Sequence, residues 1–187
     1  MLNDEHEGKP VINLIMKVSD EDWNVPVGQL AKSSMPLSRY LEYTNDRLSL
    51  IYREVNKSVL DNLKLIPCLL MTEFVNEKHL DGRSRQVSNI RVGMLESVAV
   101  NGKNLEYAVR IDYDFGKVIV DNFRVLGDRF FFHLFETSRT HWAIKEVSLP
   151  EVMTAFGLQV PAPPPVNVPP PPQPGLYERE QIGRAHV

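Results

Sequence analysis

The chain has 187 residues, 43% of them hydrophobic and 24% charged, an ordinary composition for one folded domain with a real core. Its formal net charge of −3 supplies no whole-protein field favouring nucleic acid or an anionic membrane, and a single cysteine, Cys68, excludes an internal disulfide. No apolar run approaches membrane-spanning length, and the acidic amino terminus (Asp4, Glu5, Glu7) is wrong for a signal peptide, so a cytoplasmic home is expected.

Residues 1–9 are polar and read as a frayed terminus. Val11 to Val18, rich in β-branched residues and bounded by Pro10 and Ser19-Asp20-Glu21-Asp22, reads as a strand. Trp23 to Lys32 contains Pro26 and Gly28 and reads as a connection. Leu37, Tyr40, Leu41, Thr44, Leu48, Ile51, Tyr52 and Val55 recur at steps of three and four, which predicts one long amphipathic helix. Ser34 is its cap and Pro36 lies in its first turn. Val59, Leu60 and Leu63 continue the helical spacing to Leu65, and Pro67 stops it. Cys68 to Phe74 reads as a buried strand. Glu77 to Ser88 has no periodicity and reads as a loop.

The stretch from Arg91 to Val147 consists of short apolar-patterned runs broken by Gly, Asn and Asp, the pattern of a small antiparallel sheet. Val92, Met94, Val98 and Val100 share a face. Asn101-Gly102 tolerates the positive φ angles of a tight hairpin. Beyond it Leu105, Tyr107, Val109, Ile111 and Tyr113 point one way and Glu106, Arg110, Asp112 and Asp114 the other. Val118 to Val120 and Phe123 to Leu126 follow as short runs. Arg129 to Phe135 is aromatic on both faces and predicts a central, doubly covered strand, and Thr140 to Val147 is the last. Ser148-Leu149-Pro150-Glu151 is a capping box opening a short helix, with Leu149, Val152, Met153 and Phe156 inward and Gly157 as its stop. Residues 10–157 are therefore expected to form one α+β domain. Its sheet is mostly antiparallel, with a partly open small barrel as the curled form, and it carries one long amphipathic helix and a short C-terminal one.

Nine of the fourteen prolines fall between Pro161 and Pro174, so 158–177 reads as a proline-rich linker, extended and semi-rigid. A docking peptide for a proline-reading domain is the alternative, although no charge within the run fixes an orientation. Gln181 to Val187 (QIGRAHV) resembles one translated frame of a short-read sequencing adapter, so 178–187 is expected to be truncation and adapter-derived tail. On that expectation the domain belongs to a larger protein whose C-terminal effector domain is missing.

Three constellations carry possible chemistry. His133, Glu136 and His141 are a local cluster of ligand-type side chains, but on a strand His133 and Glu136 face opposite ways, which favours a rim histidine and a surface pair. Asp112, Asp114 and Asp121 are the candidate metal ligands of a hydrolase or nuclease, set against the ordinary wet face of an amphipathic strand. Arg83, Arg85, Arg91 and Arg110, with Arg124 and Arg129, are the candidate nucleic-acid contacts, with Phe131 and Phe135 as stacking surfaces. The plainer reading pairs those arginines with nearby carboxylates and places the phenylalanines in the core. No glycine-rich phosphate loop and no Gly-X-Ser-X-Gly setting occurs, and Cys68 has no positive neighbour to activate it. No catalytic residue and no cofactor is assigned.

Pro36-Leu37-Ser38-Arg39-Tyr40-Leu41-Glu42-Tyr43-Thr44, followed by Ile66-Pro67-Cys68-Leu69-Leu70, and later Ser138-Arg139-Thr140-His141-Trp142-Ala143-Ile144-Lys145-Glu146-Val147, resemble an uncharacterised N-terminal accessory domain of multidomain bacterial proteins associated with antiphage or stress-response systems. The resemblance covers most of residues 10–157 and implies an accessory or sensing role beside a separate effector. It carries over no catalytic residue. The functional expectation is a non-catalytic interaction or sensor module with a protein partner. The alternatives are a nucleic-acid-binding module and a metal-dependent hydrolase or nuclease.

Overall fold

A computed structural model of the chain describes residues 8–121, 127, 132–162, 166 and 168–172. Seven strands lie in one sheet: β1 (Ile12–Lys17), β2 (Leu30–Pro36), β3 (Pro67–Thr72), β4 (Val75–Lys78), β5 (Ser84–Asn101), β6 (Asn104–Ile119) and β7 (His141–Lys145). Their order is β2-β6-β5-β3-β1-β7, with β4 paired to β5 off that path. Among the described residues there are three short α-helices, α1 (Asp46–Tyr52), α2 (Lys57–Leu63) and α3 (Leu149–Ala155). β1 and β3 run parallel and the other pairings are antiparallel, so the α+β fold has a mixed sheet, strongly curled into a half-barrel. None of the helices is long and apolar enough to cross a membrane.

The central strands explain the two-sided core. β1, β3 and β7 are buried along almost every residue, as strands covered on both faces must be. One face carries Ile15, Leu70, Val109 and Trp142 and is closed by Trp23, by Leu48 and Tyr52 of α1 and by Leu63 of α2. The other carries Leu14, Leu69, Val92 and Ala143 and is closed by Val152, Met153 and Phe156 at α3 and by Phe132. Asn13, fully buried in β1, ties three elements together. Its amide donates to the carbonyls of Leu63 and Ile66 at 3.1 Å each, and its oxygen accepts the Trp142 indole N–H at 3.0 Å.

The β5–β6 hairpin turns at Gly102, whose φ of 58° suits the predicted Asn-Gly turn. Three register shifts along it bend the pair. Gly93 sits at one of them, where a Cβ would stand 2.1 Å from the Arg110 carbonyl oxygen.

The structure departs from the sequence reading in several places. The long helix over Leu37 to Val55 does not form. β2 occupies Leu30–Pro36 with Ser34 inside it, Leu37–Arg39 is a 3₁₀ turn, and Leu41 and Tyr43 take positive φ (66° and 58°). α1 starts only after Asn45, which accepts the Leu48 N–H at 2.8 Å, and α2 starts after Asn56, which accepts the Val59 N–H at 3.0 Å. The reason is tertiary. Leu41 donates to the Trp142 carbonyl at 2.7 Å and Thr44 Oγ1 accepts the Ile144 N–H at 2.9 Å, so this segment seals the outer edge of β7.

Within Glu77–Ser88, read as a loop, β4 and the start of β5 form a hairpin turning at Gly82. β6 continues unbroken to Ile119. Leu134–Ser138 is a 3₁₀ turn, not the end of a strand, while Phe123 to Leu126 and Arg129 to Phe131 lie outside the described residues. α3 forms with its predicted inward residues and ends at Gly157 (φ 75°), but Ser148 makes no side-chain cap. In the proline-rich stretch Val166 and Val168 pack, partly buried, against the first core.

Candidate functional site

The turn Leu134–Ser138 folds by local chemistry. His133 caps it, its Nδ1 accepting the Phe135 N–H at 3.2 Å, while Glu136 Oε2 accepts the His133 N–H at 2.9 Å. That reciprocal cap turns the Glu136 carboxylate inward, where it is fully buried. Oε1 meets His141 Nε2 at 2.9 Å and Lys145 Nζ at 2.8 Å, both groups delivered by β7 and both buried. Lys145 Nζ also donates to the Tyr43 carbonyl at 2.7 Å, and His141 Nδ1 faces the Arg139 carbonyl at 2.6 Å. With an oxygen at each ring nitrogen, either the imidazole donates twice or Glu136 donates once. Burial holds the Lys145 ammonium below its usual range, with Glu136 pulling the other way.

An aromatic column stands on this ionic base. The Tyr43 ring meets His141 edge-on at 5.0 Å and stacks on His133 at 5.5 Å, and His133 stacks on Phe135 at 5.4 Å. Phe135 ends the column and is 68% exposed. Tyr43 and Leu41 hold left-handed backbone at about 1–3 kcal/mol each, a cost the surrounding bonds from Lys145 and to β7 must outweigh. Beside the column lies an open pocket of about 410 Å³ lined by Lys9, Tyr43, Thr44, Asn45, His133 and Glu146.

Ion pairs frame it. Glu146 binds Lys9 at 3.1 Å and Arg47 at 2.5 Å, and Glu42 binds Arg139 at 2.9 Å and Arg39 at 3.2 Å. Arg139 holds the Glu42 carboxyl below its usual range. A second, more apolar groove of about 660 Å³ is lined by Val92, Met94, Arg110, Tyr113, Leu149 and Pro161, among others.

The arginines and aspartates singled out from sequence lie elsewhere, and they answer one another. Arg91 is buried between Asp20 at 2.7 Å and Asp114 at 3.1 Å. Arg110 lies between Asp112 at 2.9 Å and Glu96, and Arg85 between Asp121 at 3.1 Å and Asp81 at 3.6 Å. The Arg83 backbone N–H bonds Asp81 at 2.9 Å. The three candidate metal aspartates, Asp112, Asp114 and Asp121, are thus partners of three of the candidate nucleic-acid arginines. No group of three His, Cys, Asp or Glu placed to hold a metal occurs among the described residues. Burial pushes the Cys68 thiol up to about 12. Arg124, Arg129 and Phe131 lie outside the described residues.

Comparison with protein-family models, curated proteins and solved structures finds no match to this chain.

Sequence reasoning grouped His133, Glu136 and His141 but favoured a rim histidine and a surface pair, whereas Glu136 and His141 are fully buried, and it missed Tyr43 and Lys145. The available signal was the apolar setting of β7, in which a lysine needs an internal partner.

Proposed function

We propose that residues 10–157 form a non-catalytic recognition module, an interaction or sensor domain, with 158–177 as its tether. Its contact surface is the Tyr43–His133–Phe135 column with the adjoining pocket. The observation that carries this reading is Phe135, 68% exposed yet positioned by a turn whose Glu136 is locked into a buried charged network. Single exposed apolar side chains are common and need no explanation. An exposed ring held by a capped turn and stacked on His133, which is itself stacked on Tyr43, is preorganised for contact, and preorganisation reduces the entropy cost of binding. The non-catalytic half of the proposal rests on placement: Glu136, His141 and Lys145 turn toward one another and away from solvent.

The test is a nitrogen-15 NMR titration of the chain with small aromatic probes such as indole. Amide shifts gathered at residues 43–45 and 133–136 are expected. Shifts gathered along Val92, Met94 and Tyr113 would move the recognition surface to the larger groove, and no shifts at either place would remove the reading.

A further inference from the structure

Charge is arranged oppositely at two places on the molecule. Along β5 and β6 each of three arginines sits between two carboxylates: Arg91 with Asp20 and Asp114, Arg110 with Glu96 and Asp112, Arg85 with Asp81 and Asp121. One cation against two anions leaves each group negative. Beside the aromatic column the ratio is inverted. Glu42 lies between Arg39 and Arg139, and Glu146 between Lys9 and Arg47, so each of these groups is positive.

Exposure sharpens the contrast. The side chains of Arg39, Arg47, Arg139 and Lys9 are 36, 45, 45 and 77% exposed, whereas those of Glu42 and Glu146 are 24 and 13%. An anion arriving here meets the cations first.

We infer that this surface binds single-stranded nucleic acid, an inference that rests on the recognition reading above and names its ligand. A base stacks on the open face of Phe135, and phosphates engage the Arg39–Arg139 and Lys9–Arg47 groups. The base must be unpaired, because a duplex hides the faces that an exposed ring stacks against. Two separate cationic groups suit successive phosphates of a strand better than the one phosphate of a free nucleotide. A whole-chain charge of −3 adds no long-range attraction, so binding depends on these local contacts. With two phosphates engaged, the slope of log affinity against log salt is about −1.4, a loss of roughly 7-fold between 50 and 200 mM salt.

The experiment uses the full chain and fluorescence anisotropy with a labelled oligothymidylate of about twelve nucleotides. Phe135→Ala is expected to weaken binding about 5- to 150-fold. Arg47→Glu should weaken it as well and flatten the salt slope, and Arg110→Ala should leave it unchanged. Phe135 is mostly exposed, so matching urea unfolding curves confirm that its variant is folded. The inference is overturned if no binding is seen at 50 mM salt, or if Arg110→Ala weakens binding and Phe135→Ala does not. It is also overturned if thymidine monophosphate competes as well as the strand. If the strand fails to bind while aromatic probes still shift residues 133–136, only the ligand is wrong. If both fail, the recognition reading falls with it.

Discussion

Glu136 receives a lysine, a histidine and a backbone N–H on its two oxygens while wholly removed from water. A carboxylate buried without such partners would neutralise or unfold its surroundings, and a cation left without it faces the same penalty. Glu136→Gln keeps the shape and removes the charge opposite Lys145. It should cost about 3–5 kcal/mol, read as a lower urea midpoint at unchanged slope. A cost under about 1 kcal/mol would mean that the network is incidental to stability. Glu42 offers a pH test. Arg139 lowers its folded pKa below the ordinary 4.5, so its stabilisation is complete above that value and is lost as pH falls through the lower, folded one. Stability curves of Glu42→Gln and the parent should therefore converge on acidification below about pH 4.5. The sequence showed part of this cluster. The parity argument that set His133 and Glu136 on opposite faces presumed a strand, and the capped turn around them follows different geometry.

At the scale of elements, legibility follows locality. The turn and the β6 half of the β5–β6 hairpin were readable because the Asn-Gly pair and the alternation are written in adjacent residues, and α3 because its apolar spacing and Gly157 are too. The shared face expected of Val92, Met94, Val98 and Val100 failed, because the register shifts put Val92 in one core, Val98 against the other and leave Val100 exposed. The stripe from Leu37 to Val55 failed because its residues are turned wholly or partly inward by three kinds of local structure in succession, a 3₁₀ turn, a left-handed corner and a short helix. Asn45 and Asn56 were the available signals of two separate helix starts. Gly93 was not legible either, since its need for a missing Cβ arises across the sheet. Gly93→Ala sets a methyl against the Arg110 backbone and should cost about 3 kcal/mol or shift the register. Gly102→Ala meets no neighbour and pays only for left-handed backbone, about 1–2 kcal/mol. Equal losses in thermal unfolding would contradict the close approach at Gly93.

Across the whole molecule the sheet is mixed, with a core on each face: one parallel pairing, β1 with β3, joins the antiparallel pairings that were expected. No local pattern announces that β1 and β3 run parallel, because the crossover between them is an irregular path through β2, α1 and α2. The proline-rich stretch also has a structural side. Val166 and Val168 rest on the same core as Trp23 and Trp142. Replacing both with serine should lower stability by about 1–2 kcal/mol, measured by loss of buried tryptophan fluorescence in urea. An unchanged midpoint would make the whole stretch a free spacer.

The position of β1 has a consequence for how the protein is made. β1 lies between β3 and β7, with Ile12 opposite Lys145. A ribosome delivers the first of these residues long before the second. Until β7 emerges, β1 keeps one edge of unpaired N–H and C=O groups, whereas the β5–β6 hairpin can close on neighbouring residues. Closure over so long a separation is slow, and an apolar strand kept waiting invites association with other chains. The interval between translation of β1 and translation of β7 is therefore expected to be the one in which the nascent chain is most open to association.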